Sequence, residues 1–510
     1  MASKRAGRSW TEITSIHSGL RAILCMASAL CWLGGLQLVS ADIRNAMRKQ
    51  RARHEQFAQR LAMSAPFVTD NDDGLRKRQD GSTIHFSNPK AQEFFVDGKT
   101  IPLVPFDAGP SWSGLMPISG AKNETRKLFF WFWPTTNVSN ANDLLFWTNG
   151  GPGCSSLEGF LQENGPISWP WGQAQPTSWS WTNLSNVVWV DQPVGAGFSQ
   201  GEPNISNDDE LAAQVVGFLQ QFLEVFSELK GSNFWLSGES IYEHTSALDL
   251  KLKGVWIADP VISYDTVQQE IPALRFAQAN KNVFPFNSSF VAELQRISDL
   301  CGYTDYLGNS VHAKEECHIW ESIFEEVSVL NPAWNVYRVT ETWPMSWSVT
   351  GFPELTQKFI YFNRTDTLLH APHIDWEICS EGDVYVNATT GQLGSDQSIY
   401  STLSVLPNVI EKSERVAIVH GLADYILLAE GTRIAIQNMT WNGAQGFQTP
   451  IQDESFHVKD MGVYGNMHQE RGLTYVEFYY SGHMTPQFVP WAAFQTIAYY
   501  VLGKADSPSA

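Results

Sequence analysis

Phe234-Trp-Leu-Ser-Gly-Glu-Ser240 is a short apolar run that stops at a glycine, an acid and a serine. Five other runs share this construction. Leu144–Trp147 leads into Asn149-Gly150-Gly151, Val187–Val190 into Asp191, and Val255–Ile257 into Asp259. Arg415–Val419 leads into His420-Gly421, and Tyr475–Tyr480 into Gly482-His483. Runs apolar throughout suit strands buried on both faces, as in a parallel sheet. Helical patterns lie between them. Ser206–Asp209 reads as a capping box ahead of a stripe of Leu211, Val215, Leu219, Phe222, Phe226 and Leu229. After Pro490, residues 491–502 read as a helix stopped by Gly503. Alternating strands and helices predict an α/β fold: a mostly parallel central sheet flanked by helices. The polar tails of the runs then gather at the C-terminal edge of the sheet, where such folds hold their functional groups. Residues 265–375 are aromatic, irregular and helix-leaning, and read as an inserted cap region.

Composition narrows the function. Hydrophobic residues are 43% of the 510 and charged residues 17%, against roughly 25% charged in soluble proteins at large. The net charge of −19 leaves no basic surplus for nucleic acid or an anionic membrane. The polar, sparsely basic residues 1–21 precede an apolar stretch, Ala22–Val39, and the small residues Ser40 and Ala41. We read residues 1–41 as a cleaved signal peptide, in preference to an anchor. Sequons at Asn123, Asn137, Asn183, Asn204, Asn287, Asn363, Asn387 and Asn438 agree with secretion, extracellular or vacuolar. Cys25 and Cys31 lie in the signal. The four left, Cys154, Cys301, Cys317 and Cys379, allow three disulfide pairings and show no zinc spacing. Residues 42–84, with Arg76-Lys77-Arg78, form an N-terminal arm or pro-segment. The core comprises 85–264 and 376–503, and 504–510 is a tail.

A strand that turns sharply into a helix exposes a serine at the sheet edge, and Gly238-Glu239-Ser240 fits the first half of that elbow. A hydroxyl needs a histidine to take its proton and an acid to orient the histidine. Asp424 and His483 follow downstream, each behind a strand, in the chain order of α/β-hydrolases. Singly, these residues would read as a turn, a helix cap and a structural histidine. Jointly they point to a hydrolase. No metal-binding H-E-x-x-H or phosphate-binding G-x-x-x-x-G-K occurs, and no cofactor is expected.

Five spaced blocks make the resemblance specific. Asn149-Gly-Gly-Pro-Gly-Cys-Ser-Ser156 with Glu163-Asn-Gly-Pro166 resembles the signature of serine carboxypeptidases of the fungal secreted or vacuolar type. Asp191–Ser199, Gly238-Glu-Ser240, the Asp424 segment and Gly482-His-Met484 with Pro486 are similar to further blocks, from about residue 90 to 503. The resemblance implies an α/β-hydrolase fold with a cap, and Ser240 as nucleophile, His483 as base and Asp424 as its orienter. It implies an oxyanion hole from the backbone N–H groups of Gly151 and Ile241. Asn149, Gly150, Glu163 and Glu239 would bind the carboxylate of a peptide or protein C-terminus, and Met484 would face the leaving group. Cys154 would pair with Cys379, and Cys301 with Cys317. The chain departs from the family after the serine. The family continues with Tyr, Ala and Gly, whereas here Ile241-Tyr242-Glu243-His244-Thr245 follows, with Tyr242 in place of a small residue, and the stretch to Val255 is shorter by about four helical turns. Two further readings follow: an acyltransferase on the same scaffold, and a chain impaired in catalysis by the altered elbow.

Overall fold

The computed structural model describes residues 84–151, 153–169, 174–239, 250–306, 317–342, 361–362, 369–380, 384–394, 396–459 and 461–504. The expected leader, the arm up to residue 83, Ser240, Ile241 and Asn363 lie outside the described residues. Of the chain's two units, 1–75 and 76–510, the described residues all belong to the second.

Eleven strands form one sheet: β1 Phe95–Val96, β2 Ser111–Pro117, β3 Lys127–Trp133, β4 Asp143–Thr148, β5 Asn186–Asp191, β6 Asn233–Glu239, β7 Lys251–Ala258, β8 Arg415–Gly421, β9 Gln452–Val458, β10 Gly462–Glu470 and β11 Leu473–Phe478. Their order is β1-β2-β3-β5-β4-β6-β7-β8-β11-β10-β9. The central six, β5 to β11 in that order, are parallel. They are the six apolar runs of the sequence. The flanking pairs are antiparallel.

Strand alternation divides the core cleanly. Phe129, Trp131, Leu145, Trp147, Trp189, Trp235 and Trp256 face one side with Ala492, Ala493 and Ile497 of the C-terminal helix. Phe130, Phe132, Leu144, Phe146, Val188, Phe234 and Val255 face the other, beneath Phe218, Leu219 and Phe222 of helix α1, Asp208–Val225. Each such fully buried side chain contributes about 1.5–3 kcal/mol. The cap of α1 lies one residue beyond the expected start. Asn207 Oδ1 accepts from the Glu210 N–H at 3.0 Å, and Glu210 returns the contact by accepting from the Ser206 N–H at 2.7 Å. Asn207 can accept this bond with its backbone still extended, so it takes the capping position expected of Ser206.

Helices α2 Ile271–Ala279, α3 Ser288–Cys301 and α4 Ile319–Leu330 form a separate core around Tyr425. A Cys301–Cys317 disulfide joins this region, and Trp320 stacks on Tyr425 at 5.4 Å. The chain beyond α4 threads between two loops of the sheet edge. Val336 O accepts from Tyr425 N at 3.0 Å, Tyr337 O from His483 N at 2.8 Å, and Ala423 O from Val339 N at 2.9 Å. No helix among the described residues is long and apolar enough to cross a membrane. Asn123, Asn137, Asn204, Asn287 and Asn438 are exposed, while Asn183 and Asn387 are half-buried.

Two buried acids brace the sheet's loops. Asp191 accepts from Ser155 Oγ at 2.6 Å, Ser156 N at 2.8 Å and Phe198 N at 3.0 Å. Asp208 accepts from the Tyr385 hydroxyl and gives its N–H to Ser398 Oγ at 2.7 Å. Burial pushes their carboxyls up from an ordinary 3.8, to about 6 and about 7 respectively. A carboxyl with a raised folded pKa stabilises fully below its unfolded value and loses that contribution as pH rises through the folded one. The thermal unfolding midpoint is therefore expected to fall between about pH 4 and pH 7. Asp208→Asn is expected to flatten the upper part of that fall in calorimetric scans; an unchanged slope would reject the assignment to Asp208.

Candidate active site

The loop after β8 is wound tightly enough to offer Asp424 two separate tasks. Its Oδ1 accepts the N–H groups of Ile426 at 2.8 Å and Leu427 at 3.2 Å, which fixes the carboxylate to its own backbone. Its Oδ2 accepts from His483 Nδ1 at 2.8 Å. Asp424 is fully buried and His483 is 5% exposed. An imidazole held at Nδ1 in this way presents Nε2 as a base. Here Nε2 faces Glu239 Oε1 at 3.2 Å, at the last residue of β6 and directly before Ser240.

A second layer supports this pair. Asp259, at the end of β7, has φ of +42°, a conformation non-glycine residues rarely adopt. Its Oδ1 accepts from Gly421 N at 2.8 Å, and its carboxyl hydrogen-bonds to Asp424. Burial, and then the charge of Asp424, push the Asp259 carboxyl well above the usual range, so it is the donor in that bond. His420 sits beside both acids, fully buried. Its Nε2 donates to Leu427 O at 2.8 Å and its Nδ1 accepts from Thr432 Oγ1 at 3.1 Å, a tautomer set by these partners. Burial lowers its pKa and keeps it neutral.

On the other side of His483 lies a pocket built from the end of β4. Asn149 N donates to Ser156 Oγ at 3.0 Å, and Asn149 O accepts from Gln192 Nε2 at 3.2 Å. Its side-chain Oδ1 accepts from the Trp147 indole at 2.8 Å. Its Nδ2 donates to Glu158 Oε2 at 2.9 Å and Glu163 Oε1 at 3.4 Å. A Cβ on Gly159 would meet Trp147 Nε1 at 2.4 Å and Asn149 Oδ1 at 2.6 Å, so only glycine permits this arrangement. Glu163 and Glu239 hydrogen-bond to each other; burial followed by the charge of Glu158 pushes the Glu163 carboxyl well above its usual range, and burial followed by the charges of Glu163 and Glu158 does the same to Glu239. The adjoining loop holds Gly150 and Gly151. Gly151 has φ of +120°, and a Cβ there would press on Cys154 Sγ at 2.9 Å. Cys154 is disulfide-bonded to Cys379.

The structure thus brings Asn149, Glu163, Glu239, Asp424 and His483 to one edge, with Gly150 and Gly151 on the Asn149 loop. Met484 is buried immediately after His483. Ser240 and Ile241 lie outside the described residues. The two parallel strands that flank them, β6 and β7, are separated by the eleven residues 240–250, fewer than the dozen or more that a parallel crossover ordinarily uses. Sequence reasoning missed Glu158 and Asp259, gave His420 no role, and passed over Tyr337, whose ring lies 5.7 Å from that of His483. Asp259 was visible as the polar end of a strand. Its use depends on contacts across the sheet.

A profile of the family described as serine carboxypeptidase matches residues 105–503. The chain is 39% identical over 488 residues to a probable serine carboxypeptidase of Arthroderma benhamiae, covering 85% of this chain and 90% of that one. It is 37% identical over 477 residues to serine-type carboxypeptidase F of Aspergillus niger, covering 83% and 89%. Kex1(delta)p, a prohormone-processing carboxypeptidase from Saccharomyces cerevisiae, shares the fold with a TM-score of 0.62, at 22% identity over 80% of this chain and 96% of that one.

The second layer generates a contrast. Asp259→Asn keeps a donor toward Asp424 and an acceptor for Gly421, and is expected to retain kcat within about threefold. Asp259→Ala is expected to lower kcat by roughly tenfold or more, in line with the ~1.5–3 kcal/mol of a hydrogen bond to a charged group. Equal losses in both variants would remove the donor role.

Proposed function

Because this chain belongs to the serine carboxypeptidase family, we propose that it hydrolyses C-terminal residues from peptides through an acyl-enzyme on Ser240. The observation that carries this reading is the placement of two mutually hydrogen-bonded, buried acids and an asparagine amide beside a His–Asp pair. Two ionised carboxylates would repel a free peptide end, whereas a neutral acid and an amide N–H can donate to it. An acyltransferase acting on esters has no need of such a pocket.

In this mechanism Asn149, the Gly150 backbone, Glu163 and Glu239 seat the terminal carboxylate. Ser240 Oγ attacks the adjacent carbonyl carbon while His483 Nε2 takes its proton, with Asp424 holding Nδ1. The carbonyl oxygen becomes an oxyanion held by the N–H groups of Gly151 and Ile241. The C–N bond then breaks, His483 protonates the departing amine on the side of Met484, and the terminal amino acid leaves. Water, deprotonated by His483, hydrolyses the acyl-serine. In the free enzyme Glu239 occupies the outlook of Nε2, so substrate entry must draw Glu239 toward the carboxylate before the base can act. We place this chemistry in the secretory pathway, vacuolar or extracellular, with the helical region from residue 265 as a cap over the site. The disulfides and exposed sequons support that setting.

A fluorophosphonate probe is expected to label Ser240, and Ser240→Ala to abolish labelling and lower peptidase kcat by on the order of 10⁵–10⁶. Folded protein that takes no label would instead be the catalytically impaired chain. A blocked dipeptide and an activated ester offered with alcohol separate hydrolysis from acyl transfer by their products. KM for peptides is expected to rise as pH passes through neutrality, and Glu163→Gln to alter that profile on its alkaline side. A flat KM from acid to mildly alkaline pH would reject the carboxylate pocket.

A further inference from the structure

The pocket holds a third carboxyl that the family blocks do not name. Glu158 is 7% exposed, and both its oxygens are engaged, Oε2 by Asn149 Nδ2 at 2.9 Å and Oε1 by Gln162 Nε2 at 2.8 Å. In a regular α-helix Glu158 and Glu163, five residues apart, would point about 140° from each other. The helix Ser156–Gly159 instead continues as a π turn over Phe160–Asn164. The wider turn swings Glu163 round until one amide, that of Asn149, donates to both acids. That amide cannot turn over, because its oxygen is committed to the Trp147 indole. Both of its protons therefore point at carboxyl groups, and an incoming carboxylate must share one of them.

Resting on the carboxypeptidase reading, we propose that Glu158 is the positioning residue that aims Asn149 at the peptide's terminal carboxylate, and that its proton sets how much negative charge the pocket holds when that carboxylate enters.

The surroundings supply two states. Gln162 Oε1 is buried with no donor among the described residues. Turning the Gln162 amide over gives it the proton of a neutral Glu158, while the observed orientation serves the ionised form. The groups facing Glu158 are Glu163 on the same turn, Glu239 from β6, and His483 and Tyr337 from the loops above, with Asp259 and Asp424 behind. Burial raises the Glu158 carboxyl from 4.5 to about 7, against the opposing pull of Gln162, His483 and Asn149. The charge of Glu158 in turn pushes Glu163 and Glu239 further above their usual range, while neither is among the causes that raise Glu158. Near neutral pH, Glu158 is thus the member of the three whose charge changes, and an entering carboxylate favours its protonated form.

The test is calorimetric binding of N-acetyl-Phe-Leu, with its C-terminal amide as control, to the full chain carrying Ser240→Ala so that no turnover occurs. Titrations from pH 5 to 8 in buffers of different ionisation enthalpy count the protons taken up. The expected result is proton uptake near pH 7 for the acid and none for the amide. Adding Glu158→Gln should remove most of that uptake and make the affinity loss above pH 7 shallower by up to about tenfold per pH unit, the linkage limit for one group. Adding Glu163→Gln should leave the uptake in place. Glu158→Ala should weaken the acid several-fold even at pH 5, where charge is not at issue. Uptake unchanged by Glu158→Gln, or absent with Glu158 intact, overturns the proposal for Glu158 alone. Equal affinity for acid and amide overturns the carboxylate pocket itself.

Discussion

The removal of acidic side chains from water at the C-terminal edge of the parallel strands is the constraint on which the rest depends. Asp191, Glu239, Asp259 and Asp424 all sit at or just past strand ends, and none is more than 6% exposed. An isolated buried carboxylate is costly unless it is neutralised or fully hydrogen-bonded. The structure uses both remedies in adjacent places. Asp424 is surrounded by donors from its own loop and from His483. Glu163, Glu239 and Asp259 are instead pushed toward the neutral form by burial, and Glu239 and Asp259 donate to the acids beside them. One carboxylate able to pair with an imidazolium and several acids able to receive an anion are what peptide-end hydrolysis requires. Environment alone assigns those opposite roles to chemically similar groups.

Holding the acids dry demands that the loops above them stay shut, and the bracing is covalent, polar and steric by turns. The Cys154–Cys379 bond and Asp191 fasten the Gly150–Ser156 loop from two sides. Gly151 and Gly159 give the backbone an approach that a methyl group would block. The strip Val336–Val339 joins the Asp424 loop to the His483 loop by backbone hydrogen bonds. Side chains add to it: Arg338 donates to Tyr480 O at 2.9 Å and lies over the Phe488 ring, and Val339 is buried in the core around Tyr425.

Much of the fold was legible because burial on both faces leaves a plain mark. The six continuous apolar runs are the six parallel strands, and their polar tails meet at the candidate site. The start of α1 was misread by one residue, since Ser206 and Asn207 are both good caps and backbone course decides between them. The antiparallel flanks β9 and β10 passed unnoticed because exposed and polar residues break their pattern, as in Gln452-Asp453-Glu454-Ser455. That Asn149, Glu163, Glu239, Asp424 and His483 should lie together was legible through their family blocks. Glu158 was not, because helical periodicity places it away from Glu163, and a π turn cannot be read from Phe160–Asn164 alone. Asp259 and His420 depend on contacts between β7, β8 and helix Ala429–Asn438, which no local pattern encodes.

The same protonations govern folding and binding, and this ties the two together. A neutral Glu158, Glu163 or Glu239 is favoured by burial in the folded chain, and favoured again when a substrate carboxylate stands beside it. Linkage makes the second preference reciprocal: whatever raises the affinity of these acids for protons is itself bound more tightly by the protonated protein. Under the proposed carboxylate pocket, a bound peptide end would therefore hold the acids neutral to higher pH and extend the stable range of the fold in that direction. The pocket needs no separate sensor of acidity. Its proposed ligand-binding form and the form that burial favours carry the same protons.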